Sequence, residues 1–117
     1  AKKLIAYTAS ITNKKFSKSV RFSLSNRILD KAFEIQHLLL LANEINPKNS
    51  SEVKARLDNQ IEALVCCKEL GYFIELSFAN GHIDSGNEVY WSSLLTDVQR
   101  TAGGWHKSDK LRYSNLL

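Results

Sequence analysis

Leu24-Ser25-Asn26-Arg27-Ile28-Leu29-Asp30-Lys31-Ala32-Phe33-Glu34-Ile35-Gln36-His37-Leu38-Leu39-Leu40-Leu41-Ala42 is the stretch that decides the fold. Leu24, Ile28, Ala32, Ile35, Leu39 and Ala42 recur at steps of 4, 4, 3, 4 and 3, the period of an α-helix with one buried stripe. Leu29, Phe33, Leu38 and Leu40 widen that stripe, so the helix is expected to touch more than one neighbour. It ends at Asn46-Pro47, because proline biases the residue before it away from helical angles.

Downstream, Pro47-Lys48-Asn49-Ser50 is the one strong loop signal, and Asn49 with Glu52 has the spacing of a capping box. The next stripe is Val53, Leu57, Ile61, Leu64, Cys67 or Lys68, Gly71, Ile74 and Phe78, with Asn80-Gly81 as a left-handed stop. Gly71 on that stripe is expected to admit a close helix approach. The two helices would be about 28 and 31 residues long, a matched pair suited to antiparallel packing. Ser85-Gly86-Asn87-Glu88 reads as a second capping box, opening a helix whose apolar face is Tyr90, Trp91, Leu94, Leu95, Val98 and Ala102. Gly103-Gly104 is expected to end it. Upstream, Leu4, Tyr7, Ala9 and Ile11 mark a shorter first helix over residues 3–15, and Phe16-Ser17-Lys18-Ser19 is a break that Ser17 or Ser19 would cap. The expected fold is all-α: an up-down-up-down antiparallel four-helix bundle, one domain over residues 1–107, with 108–117 as an unassigned tail.

Composition narrows the field. The chain has 117 residues, with one Pro and five Gly, too few turn residues for a β-sandwich or barrel. Its longest apolar run, Leu38 to Ala42, falls far below the ~18 residues of a membrane span. No basic-then-apolar leader opens it, and a chain without Met that starts at Ala1 is expected to have lost a leader or initiator. Cys66 and Cys67 are adjacent and have no third cysteine as partner, which suits reduced packing thiols and a cytoplasmic setting. No membrane partner is expected.

Charge is divided unevenly. Residues 1–27 carry five Lys, two Arg and no acid, for +7; residues 28–99 carry −6 and residues 100–117 carry +3, giving +4 in all. Lys14, Lys15, Lys18 and Arg21 are expected at one pole of the bundle, with Arg27 further along the second helix. Lys2, Lys3, Arg100 and Lys107 would gather at the other. Such clusters neutralise phosphates, and their binding weakens steeply with salt. No platform of exposed aromatics is evident, so binding to RNA or DNA is expected to follow the backbone, with weak sequence preference.

Catalytic signals are sparse. No His-x-x-x-His or Glu-x-x-His pair marks a metal site, no Gly-rich phosphate loop occurs, and His37 and His82 read as isolated polar residues. No cofactor is expected. Arg100 and His106 have the Arg-x(4–6)-His spacing of HEPN-type ribonucleases, where the Arg would hold a phosphate and the His act on the ribose hydroxyl or leaving group. The expected break at Gly103-Gly104 speaks against that arrangement.

Lys15-Phe16-Ser17-Lys18-Ser19-Val20-Arg21-Phe22-Ser23-Leu24, then Arg27-Ile28, Ala42-Asn43 and Gly103-Gly104-Trp105 with Lys107, resemble the motifs of accessory variability determinant (Avd) proteins. These are small four-helix-bundle partners of reverse transcriptases in diversity-generating retroelements. The resemblance covers roughly residues 4–107. It implies a non-catalytic basic homo-oligomer, a pentamer in that family, which binds nucleic acid and the reverse transcriptase and supports mutagenic cDNA synthesis from template RNA. By position, Phe22, Leu24 and Ile28 would pack, Arg21 and Arg27 would meet phosphate or an acidic partner, and Gly103, Gly104 and Trp105 match the closing motif. The third helix departs from the family pattern, since Cys66, Cys67, Glu69 and Glu75 leave it acidic. Bundles encoded by intervening sequences in ribosomal RNA genes resemble the chain less and stand as the alternative, a protein-binding scaffold.

Overall fold

The computed structural model describes the backbone of residues 1–117 and every side chain except that of Arg21. The chain is all-helical among the described residues. Helix α1 spans Lys2–Lys14. A single α-turn, Lys18–Val20, and a π-helical turn, Arg21–Ser25, lead into α2, Asn26–Glu44. Helix α3 spans Ser50–Ala79 and α4 spans Ser85–Arg112, followed by a 3₁₀ turn at Ser114–Leu116. The long helices pack as a bundle 51 Å by 23 Å by 19 Å: α2 lies on α3, α3 on α4, and α1 against both α2 and α4.

The helix ends follow local chemistry. Asn49 accepts from the Glu52 N–H at 2.9 Å, while the Glu52 carboxylate turns back to the Lys48 N–H and the Asn49 side-chain amide, each at 3.0 Å. At the other end of α3, the His82 N–H bonds the Ser77 carbonyl and the Gly81 N–H bonds that of Phe78. Together with Gly81 at φ +76°, this is a Schellman stop. The box that opens α4 lies one residue earlier than the spacing suggested. Asp84 caps Asn87 at 2.8 Å and the Asn87 side chain returns to the Asp84 N–H, because an ionised carboxylate accepts more strongly than the Ser85 hydroxyl.

The α2 stripe is buried at Ile28, Ala32, Ile35 and Ala42, with Leu38 taking the place expected of Leu39, which, like Leu24, is half-buried. The α3 stripe is rotated from its expected phase. Ile61 and Phe78 are exposed, Leu64 and Gly71 are half-buried, and the inner face is Val53, Arg56, Leu57, Gln60, Ala63, Cys66, Cys67, Leu70, Ile74 and Ser77. Polar residues on that face break the apolar pattern and hide its true centre. A Cβ placed at Gly71 would meet Leu95 at 3.6 Å, ordinary van der Waals contact, so no close approach of α4 depends on this glycine.

The largest correction concerns Gly103-Gly104. The helix runs through both glycines to Arg112 and takes in part of the supposed tail. Two interior glycines cost roughly 1 kcal/mol each against alanine. Beyond them Asp109, at 1% exposure, is bonded to Arg56 and Gln60 and ties the continued helix to α3.

On α1, Thr8 and Thr12 sit on the buried face and return their hydroxyls to the carbonyls of Leu4 and Thr8. The Trp91 indole N–H then donates to the Thr8 hydroxyl at 3.0 Å, which ties α4 to α1 through a fully buried ring.

Candidate nucleic-acid interface

Lys14 closes α1, Lys15 and Lys18 flank the break, and Arg27 stands in the first turn of α2; all four are exposed. The turn that carries them is anchored from below. Phe16 is buried and its ring stacks on His82 of the α3–α4 loop, with centroids 5.1 Å apart. The Ser17 and Ser19 hydroxyls bond each other at 2.8 Å, and among the described residues neither makes the expected capping bond. The expectation for the Arg21 side chain lies outside the described residues.

Phe22, expected to pack, is 83% exposed. Val20 and Leu24 reach the core on either side of it. Phe22 is two residues from each, about half a turn around the helix, and therefore faces solvent. Ser25, at the end of the π turn, is buried with its hydroxyl unpartnered.

Among the described lysines and arginines, only Lys31 and Arg56 have a carboxylate within ion-pair distance. Lys31 bridges Glu34 at 3.0 Å and Glu69 at 3.1 Å. Its hydrogen bond to Glu34 raises the ammonium above its ordinary range, and the same contact lowers the Glu34 carboxyl. Among the described residues of the α1–α2 corner, Lys14, Lys15, Lys18 and Arg27 have no carboxylate within that distance.

At the other end, Lys2 and Lys3 are exposed on the rim of a groove of about 380 Å³, whose floor includes Leu4, Leu39, Val98 and Trp105. Arg100 and Lys107 are exposed on α4 but do not line that groove. Seven residues apart on one helix, they share a face within about 20°.

Sequence reading missed the polar cluster behind this end. Arg56 donates to Asp109 at 2.8 and 3.4 Å and to the Ile45 carbonyl at 2.9 Å. Its guanidinium lies 5.0 Å from the Trp105 ring centroid and 5.5 Å from that of Tyr113, within cation–π range. The Gln60 amide donates to Asp109 at 2.6 Å, so its oxygen accepts from His106 Nδ1 at 3.0 Å. A signal was present: Val98, Ala102, Trp105 and Asp109 continue the α4 period through the glycines.

No family model, curated protein or solved structure matches the chain. Arg100 and His106 do lie on one unbroken helix, contrary to expectation. They are separated by about 120° around its axis, and His106 is half-buried against Gln60. Burial pushes the Cys66 and Cys67 thiols up to about 11, which keeps them protonated packing groups near neutrality. No helix among the described residues is long and apolar enough to cross a membrane, and no group of three potential ligands gathers into a metal site.

Proposed function

We propose that this protein is a non-catalytic nucleic-acid-binding accessory protein, acting beside a retroelement reverse transcriptase in the manner its Avd-like motifs imply. The observation that carries the reading is the corner formed by Lys14, Lys15, Lys18 and Arg27, where exposed cations stand without carboxylate partners in an acid-free segment. Such a corner releases counterions when it meets a phosphate backbone.

The bundle is read as antiparallel and up-down-up-down. Pairs that meet across helices support this by running in opposite chain directions: Ile45 with Arg56 and Lys31 with Glu69, then Arg56 with Asp109 and Gln60 with His106.

Assembly with further copies, a pentamer by the family resemblance, belongs to the same proposal. Its support is an unpartnered apolar row on α3: Ile61, Val65, Tyr72 and Leu76 are all exposed. Light scattering that gives a monomer mass at micromolar concentration would count against assembly.

The test of binding is a mobility-shift series with structured RNA and duplex DNA at two salt concentrations. A shift that fades at higher salt and weakens on neutralising the corner lysines is expected. Binding indifferent to those changes would remove the assigned surface. The ribonuclease reading is favoured only by the unbroken helix between Arg100 and His106. Cleavage in the same lanes, lost in His106→Ala, would establish it.

A further inference from the structure

Phe22 is the most exposed large apolar side chain among the described residues, at 83%, and it lies in the π-helical turn Arg21–Ser25. Its surroundings are unlike those of the other exposed apolar residues. Along the sequence on either side of it, Lys14, Lys15, Lys18, Ser19, Ser23 and Arg27 are exposed, and no carboxylate occurs before Asp30. Lys18 precedes Phe22 by four residues and Arg27 follows it by five, each about one turn away along the axis. On α3, by contrast, exposed apolar residues repeat along one face, as a protein-docking surface requires.

From this composition we infer that Phe22 is a base-stacking residue, and that the corner prefers unpaired nucleotides over duplex. The inference rests on the nucleic-acid reading above and specifies its substrate class. The cations track the phosphates, and the exposed ring offers its face to a splayed base. A duplex keeps its bases stacked on one another and has none to give except at its ends. Stacking on an aromatic side chain accepts any base, so the site adds strand-state discrimination without sequence readout. The π turn explains how the ring is held out. Val20 and Leu24 fasten the turn to the core on one side, which leaves Phe22 on the opposite side, turned to solvent.

Fluorescence anisotropy with a 20-nucleotide oligo(U) and a 20-base-pair RNA duplex tests this, using the full chain and its Phe22→Ala and Phe22→Trp variants. Phe22→Ala is expected to weaken oligo(U) binding roughly 5- to 150-fold and to change duplex binding less than about twofold. Phe22→Trp is expected to retain oligo(U) binding and to show quenching of indole fluorescence on saturation, beyond that of the unaltered chain. The ring is exposed, so both variants are expected to melt with the parent, which circular dichroism checks. Salt-sensitive oligo(U) binding that Phe22→Ala leaves unchanged would overturn the stacking role while leaving the basic surface intact. Failure of the unaltered chain to bind either probe would overturn both. A lower assembled mass for Phe22→Ala, with unchanged affinity per chain, would reassign the ring to a protein contact.

Discussion

At the carboxyl end of α2, Arg56 is buried, bonded to both oxygens of Asp109 and to the Ile45 carbonyl, and covered by Trp105 and Tyr113. At the amino end, Lys14, Lys15, Lys18 and Arg27 are exposed without a carboxylate partner. One chain thus uses positive charge in two ways. Where the guanidinium is buried and bonded three times within the chain, the cation fixes the position of the last turns of α4 and is shut away from outside partners. Where the donors face water, folding gains little from the charge, and its field is free to act on something outside. Counting cations in the sequence merges the two; their partners separate them.

The sharpest way to break the buried side is to remove one member of the pair. Arg56→Leu is expected to destabilise the fold by about 3–5 kcal/mol in urea denaturation, because it strands a buried carboxylate. The double change Arg56→Leu, Asp109→Leu is expected to recover much of that loss, which a single-variant experiment cannot reveal.

Alkaline unfolding probes the middle of the same bundle. The buried thiols stay protonated up to about pH 11 in the folded chain, whereas in the unfolded chain they ionise near their ordinary value of about 8.5. Between these values the folded state binds more protons, so stability falls as pH rises from about 9 to 11. Replacing both cysteines with alanine should flatten that decline even though it lowers stability overall. Native thiols should also resist iodoacetamide at pH 8 until denaturant is added.

The exposed side is sharpened by Lys14→Gln, Lys15→Gln, Lys18→Gln. Affinity for RNA is expected to fall at least about tenfold at low salt, with the logarithmic salt slope reduced by about 2–3. The melting temperature should stay within a degree or two, in contrast to Arg56→Leu. The smallest effect is expected at the helical glycines. Gly71→Ala and Gly103→Ala should each stabilise by about 0.5–1 kcal/mol, since the added methyl meets Leu95 at 3.6 Å or nothing within 4 Å.

Much of the helical content was legible because Ile28, Ala32, Ile35 and Ala42 on α2, and Trp91, Leu94, Leu95, Val98 and Ala102 on α4, mark their faces with apolar side chains. Reading failed where a local rule met a tertiary contact. Gly103-Gly104 has the form of a stop, yet Asp109, Arg56 and Gln60 hold the helix beyond it. Gln60 and Arg56 sit on the inner face of α3 and are polar, so hydropathy placed Ile61 and Leu64 there instead. At the candidate site, the cation cluster was visible as an acid-free block. The exposure of Phe22 was not, because a lone aromatic between Val20 and Leu24 reads as core unless the turn's geometry is known.

The wide turn at Arg21–Ser25 also sets a phase. It holds one residue more than an α-turn would, and an extra residue rotates what precedes it by about 100° relative to an uninterrupted helix. Val20 before the turn, Leu24 within it, and Ile28, Ala32 and Ile35 beyond it all reach one core. Deleting a single residue from Ser23–Ser25 would leave the bundle's length almost unchanged and turn its amino-terminal corner instead. The direction in which that corner looks is thus encoded by residue count, independently of which side chains it carries.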